Sequence, residues 1–189
     1  MKIKCLFLTV IALLLLVVNS CNKDEFIGEE PGVNLKSAEL KMLPISWDLN
    51  VVLTEFDFVN GHPTPTGGPV EGIISHLGKL KGKSYWKAYS YIRDDEASPS
   101  TVDYGITGKL VAANGDELNF TTEGTITHLG PVEGTWEGKM YFSGGTGRFE
   151  NAVGEGESFG WLTRDENGIP HSVAMHLEGK LSSVGSSKK

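Results

Sequence analysis

Gly156-Glu157-Ser158-Phe159-Gly160 satisfies G-x-S-x-G, the pattern that sets a nucleophilic serine on a strained turn, and Asp165 and His171 follow it in the order of an α/β-hydrolase triad. That chemistry needs a strand before the serine and a helix after it. The chain instead continues Trp161-Leu162-Thr163-Arg164 into Asp165-Glu166-Asn167-Gly168, a strand-like run and a tight turn, so the match is read as chance. The glycines upstream suggest a phosphate loop but do not build one. From Gly144, Gly145 or Gly147 the second glycine of a P-loop falls on Phe149, Glu150 or Ala152, and a dinucleotide loop from Gly154 and Gly156 ends on Phe159. No cofactor motif survives, and none is expected.

Metal chemistry fares no better. His171 and His176 are five apart, an odd separation that sends them to opposite faces of one strand. His76 and His128 meet only if their strands are neighbours, and a zinc site needs three or four converging ligands, so no metal is assigned. Arg148 is expected to pair with a carboxylate such as Glu123 or Glu155. Among the aromatics Trp47, Trp86, Tyr89, Trp136, Tyr141 and Trp161, most are expected in the core, with a few at a mouth where rings and polar groups make a pocket. The candidate cavity or binding residues are therefore His76, Trp86, Tyr89, Glu123, His128, Trp136, Tyr141 and Arg148; no catalytic residue is assigned.

The elements that must position these residues read as strands. Alternating runs at Trp47–Leu53, Tyr85–Ile92, Leu118–Thr127, Thr135–Phe142 and Ser172–Leu181 are separated by turn chemistry, including Asn114-Gly115-Asp116 and Asp165–Gly168. After the N-terminal apolar run no segment carries a helical stripe, and no βαβ rhythm appears, so an antiparallel barrel or sandwich is expected. Gly144-Gly145 are expected to turn with φ > 0, and Thr146–Val153 to form a strand, with Gly154 and Gly156 allowing close backbone approach. Ile74-Ser75-His76-Leu77-Gly78 returns as Ile126-Thr127-His128-Leu129-Gly130; two copies are read as similar strand ends in one barrel.

The N-terminus carries an address. Lys2 and Lys4 precede an apolar run from Cys5 to Val18, a signal peptide by its length and flanks. Val18-Asn19-Ser20-Cys21 resembles the lipobox of bacterial lipoproteins, which implies cleavage before Cys21 and acylation of its thiol; an uncleaved anchor or an ordinary secretory signal is the competing reading. Acyl chains, at about 0.8 kcal/mol per buried CH₂, hold a protein on a membrane without a spanning helix. Asn22-Lys23-Asp24-Glu25 is similar to tags that send such lipoproteins to the outer membrane and its surface. Cys5 leaves with the leader and Cys21 takes lipid, so the mature domain keeps no thiol for disulfide, nucleophile or metal. Removing the leader lowers the basic count from 17 to 15 against 24 acidic residues, a formal charge of −9. Such a surface repels nucleic acid.

Gly144-Gly145-Thr146-Gly147-Arg148-Phe149, followed by Ala152 and Gly154, resembles the GGTG-[RK]-F-x-x-A-x-G stretch of secreted bacterial barrel proteins and of plant dirigent proteins. With Ser75–Lys79 and Ala113–Leu118 it extends the likeness to the allene oxide cyclase-like barrel over most of residues 70–183. The resemblance implies about eight antiparallel strands around a small apolar cavity; it assigns no functional residue here. The expected organisation is a leader over 1–20, a lipidated N-terminus and tether over 21–43, an all-β single antiparallel barrel over 44–183 and a tail over 184–189. The expected function is a membrane-anchored binding or structural module for a small apolar or carbohydrate ligand. The alternative is a cofactor-free isomerase or cyclase acting in the cavity. Oligomeric state is not legible.

Overall fold

Strand after strand alternates one buried and one exposed residue, which closes a sheet only by wrapping the buried face inward. The computed structural model describes residues 41–130 and 133–182; the leader, Cys21, nearly all of the tether and the tail lie outside them. Ten strands form a single antiparallel sheet: β1 (Met42–Val52), β2 (Glu55–Val59), β3 (His62–Ile74), β4 (Gly78–Lys79), β5 (Tyr85–Asp94), β6 (Thr101–Val111), β7 (Glu117–His128), β8 (Glu133–Gly145), β9 (Val153–Arg164) and β10 (Pro170–Ser182). Neighbours run β1-β10-β9-β8-β7-β6-β5-β3, and β3 returns to β1 through Val70–Gly72 against Leu49–Val51. The domain is all-β, and its ring of about eight strands is barrel-like.

β1 starts at Met42, inside the segment read as tether. The hairpin turns expected at Asn114–Asp116 and Asp165–Gly168 join β6 to β7 and β9 to β10, with Gly115 and Gly168 at positive φ and closing Gly115 N–H to Ala112 O and Gly168 N–H to Asp165 O. The two similar pentapeptides both sit where strands end, one after β3 and the other at the end of β7, at opposite ends of the barrel.

The interior is a packed core. Trp47, Leu110, Leu118, Phe142, Phe149, Leu177 and Leu181 fill the end where β1 begins, with Trp47 and Phe142 edge to face at 5.4 Å. Trp136 lies mid-barrel because its neighbours yield space: a Cβ on Gly124 or Gly138 would come within 2.6 Å of its ring. Its Nε1 donates to Ser158 Oγ at 2.9 Å, and that hydroxyl donates to Gly138 O at 3.0 Å. Ser158 is thus a buried tie in the middle of β9, which runs on to Arg164 with no helix behind the serine. A nucleophile elbow is excluded there.

Thr146–Val153 departs from the expected strand. Gly147–Phe149 is a 3-10 turn, and β9 begins only at Val153, because Gly147 sits at φ +58 and directs Phe149 into the core, where it is fully buried. Gly144, at φ +75, is the turning residue of the pair; Gly145 has no positive φ. Glycine-rich chain here closes the barrel end.

Candidate functional site

Period-2 alternation places a polar group at the open end of several strands. In β9 the inward positions are Gly154, Gly156, Ser158, Gly160, Leu162 and then Arg164; in β7 they run Leu118, Phe120, Thr122, Gly124, Ile126 and His128. β6 contributes Tyr104 between Val102 and Ile106. In β5 a bulge between Ala88 and Ser90 shifts the phase, so Tyr91 and Arg93 turn inward past it. The ladder sets Arg93 opposite Val102, Val102 opposite Ile126, and His128 opposite Gly134, which faces Leu162. Arg93, His128 and Arg164 thereby meet at one mouth.

Their contacts are unequal. Arg164 Nη2 approaches His128 Nδ1 at 2.7 Å, so Nδ1 accepts and the imidazole proton sits on Nε2. That Nε2–H faces Arg93 Nη1 at 3.4 Å, where two donors meet and no hydrogen bond forms. Arg93 Nε donates to Asp95, and its side chain is 8% exposed. Arg164 Nη1 donates to Gly168 O at 2.9 Å, but its buried Nε finds no acceptor among the described residues, nor does the buried hydroxyl of Tyr104.

The electrostatics follow. Burial, then the positive fields of Arg164 and Arg93, lower His128 to about 4, so the ring is neutral at pH 7. Burial likewise lowers Arg164, helped by Arg93, and burial raises Tyr104, which stays a protonated donor. A base whose folded pKa lies below its unfolded value of about 6.5 takes up more protons when unfolded. Its contribution is therefore complete above about pH 6.5 and lost as pH falls toward about 4. The imidazole is half-buried, and after solvent screening the loss is about 1–2 kcal/mol. Urea unfolding at pH 7 and 4.5 should show His128→Gln losing less stability across that interval than the wild type, by about that amount; an unchanged difference would remove His128 from the acid response.

Two spaces adjoin the cluster. An open depression of about 500 Å³ is lined by His62, Pro63, Arg93, Ser100, His128 and Arg164, among others. Beneath it a passage of about 10 Å³ runs between Pro65, Tyr104, Ile126 and Leu162. Pro65, Tyr104 and Ile126 also line a cavity of about 50 Å³ inside the barrel, otherwise walled by residues such as Trp86, Phe120, Trp136 and Met175.

Of the residues singled out in the sequence, Trp86 and Trp136 line that cavity and His128 stands at the mouth. Trp86 Nε1 donates to Val52 O at 3.0 Å. The rest are elsewhere. His76 is exposed in the turn after β3, at the opposite end. Tyr89, Glu123 and Tyr141 are on the outer wall, with Lys139 Nζ 5.4 Å from the Tyr141 ring centroid. Arg148 meets neither Glu123 nor Glu155. Its Nε lies 3.5 Å from Asp116 Oδ2 because the 3-10 turn folds it over the β6–β7 hairpin, while Glu155 pairs with Lys139. The residues passed over are Arg93, Tyr104 and Arg164; alternation from Leu162 into the Asp165–Gly168 turn is the signal for the last.

No model of a known protein family matches this chain, and no curated protein does.

Proposed function

We propose that this chain is a bacterial envelope lipoprotein, acylated at Cys21 and held at the outer membrane, whose barrel of the allene oxide cyclase and dirigent type is a non-enzymatic module binding a small ligand at its open end. One observation carries binding over catalysis: the interior is filled down to about 50 Å³, whereas two buried donors without acceptors among the described residues, Arg164 Nε and the Tyr104 hydroxyl, lie at and just beneath the mouth. Ligand pockets that enclose a substrate run to roughly 300–1,000 Å³. Proton transfer also needs a poised acid or base beside the substrate. The cavity walls offer Tyr104 and Thr122 as their only hydroxyls among the described residues, and burial keeps the phenol protonated. An isomerase or cyclase working inside the barrel has neither room nor a base.

Native mass spectrometry of the full chain, extracted in detergent from its own host, tests both halves. The expected spectrum carries an acyl mass on Cys21 and a non-covalently held small molecule. Cys21→Ser should lose the acyl mass and leave the membrane fraction. A serine variant that stays membrane-bound would defeat the anchor, and host preparations free of any bound molecule would favour a purely structural barrel.

A further inference from the structure

The mouth is set up for negative charge that the described residues do not supply. Two guanidiniums face one carboxylate, Asp95, across a neutral imidazole, which leaves the cluster one positive charge in excess. Among the described residues Arg164 has no carboxylate partner; it holds a backbone carbonyl and the ring of His128, and its buried Nε has no acceptor there. The Tyr104 hydroxyl, on a residue only 5% exposed, is a second buried donor with no acceptor among the described residues. Buried donors are ordinarily paired, and two that line one passage without acceptors among the described residues, beside the Arg93 guanidinium, describe the outline of something that accepts.

We propose that the mouth is a receptor site for the carboxylate of a small organic acid bearing a short apolar substituent, held between Arg93 and Arg164 with the Tyr104 hydroxyl below. This rests on the reading of the mouth as the ligand site and adds the ligand's class. Three features select it. A guanidinium is a planar fork that matches the two oxygens of a carboxylate. The single excess positive charge is balanced by a monoanion, whereas a phosphate dianion overshoots it. Beneath the cluster the passage turns apolar at Pro65, Ile126 and Leu162, and the 50 Å³ beyond it accepts a few carbon atoms, not a long acyl chain. Arg93 and Arg164 hold the head, and the substituent points to the barrel axis.

The test is a titration of the full chain in non-ionic micelles with sodium butanoate, at ionic strength fixed with sodium chloride, followed through the imidazole resonances of His128. The expected result is a saturable shift that chloride does not produce. Tyr104→Phe should keep the fold, since the hydroxyl bonds to none of the described residues, and weaken butanoate about tenfold, the usual effect of one hydrogen bond to a charged group. Arg164→Lys keeps the charge and loses the fork, and should weaken it further. A butanoate shift no larger than that of chloride overturns the site. So does an affinity that neither variant changes. Inorganic phosphate binding more tightly than butanoate overturns the carboxylate class. A neutral molecule co-purifying from the host would leave ligand binding standing and remove the acid; saturation by butanoate with nothing co-purifying would support the carboxylate site and remove only a ligand retained from the host.

Discussion

Gly145→Ala should cost more than about 4 kcal/mol and leave little folded protein at 37 °C, the largest effect expected of any single added methyl here. The reason is backbone, not conformational freedom. A Cβ at Gly145 would stand 1.8 Å from Glu117 O and 2.7 Å from its carbonyl carbon. The carbonyl cannot retreat, because it accepts from Thr146 N–H at 2.8 Å while Glu117 N–H donates to Thr146 Oγ1 at 2.9 Å. Those paired bonds lash the start of β7 to the end of β8. The next residues finish the buckle: a Cβ on Gly147 would fall 2.1 Å from Asp116 Oδ1, Arg148 lies over that same carboxylate, and Phe149 enters the core. Gly82 supplies the control, since a Cβ there meets nothing within 4 Å and its φ is unremarkable for an L-residue. Gly82→Ala should be neutral or gain about 0.4–1 kcal/mol through the unfolded chain. Thermal and urea unfolding of both variants decide the matter: a Gly145→Ala protein within about 1 kcal/mol of wild type would mean that β7 and β8 can part at no cost.

The motif's meaning shows which parts of the fold were legible. Hairpin turns were, because Asn-Gly-Asp and Asp-Glu-Asn-Gly state their own geometry, and so was the barrel, because buried strands between such turns must wrap. The use of GGTGRF was not. Its glycines read as bends, yet Gly145 is required by a carbonyl 28 residues earlier in the chain, and no local pattern records a contact across strands. The site failed for a second reason. Alternation from Trp86 predicts Ala88, Ser90 and Ile92 inside, but the bulge at Ala88/Ser90 reverses the phase, so Ile92 is exposed and Arg93 turns to the mouth. A bulge inserts one residue without a composition signal, and everything beyond it is misassigned by counting. Arg148, by contrast, drew attention through its motif, although its work is to brace a turn.

Trp136→Ala carries the second large effect and bears on what the interior is for. Truncating a buried tryptophan typically costs about 3–5 kcal/mol, and here the lost ring leaves more than a hole. Gly124 and Gly138 cannot fill it, because neither has a side chain to move and their backbones are fixed in the β7–β8 ladder. Ser158 Oγ loses the indole donor and keeps only Gly138 O. The space opened merges with the existing cavity, whose exposed lining is apolar and includes Phe120, Met140 and Met175. An apolar cavity of that kind stays dry and takes apolar guests. Benzene should therefore raise the melting temperature of Trp136→Ala by mass action and leave the wild type unmoved, since about 50 Å³ is well below the roughly 150 Å³ of an engineered cavity known to admit it. A wild-type protein that benzene stabilises as strongly as the variant would show the barrel to be open inside, and ligand recognition would move from the arginines at the mouth to the core itself.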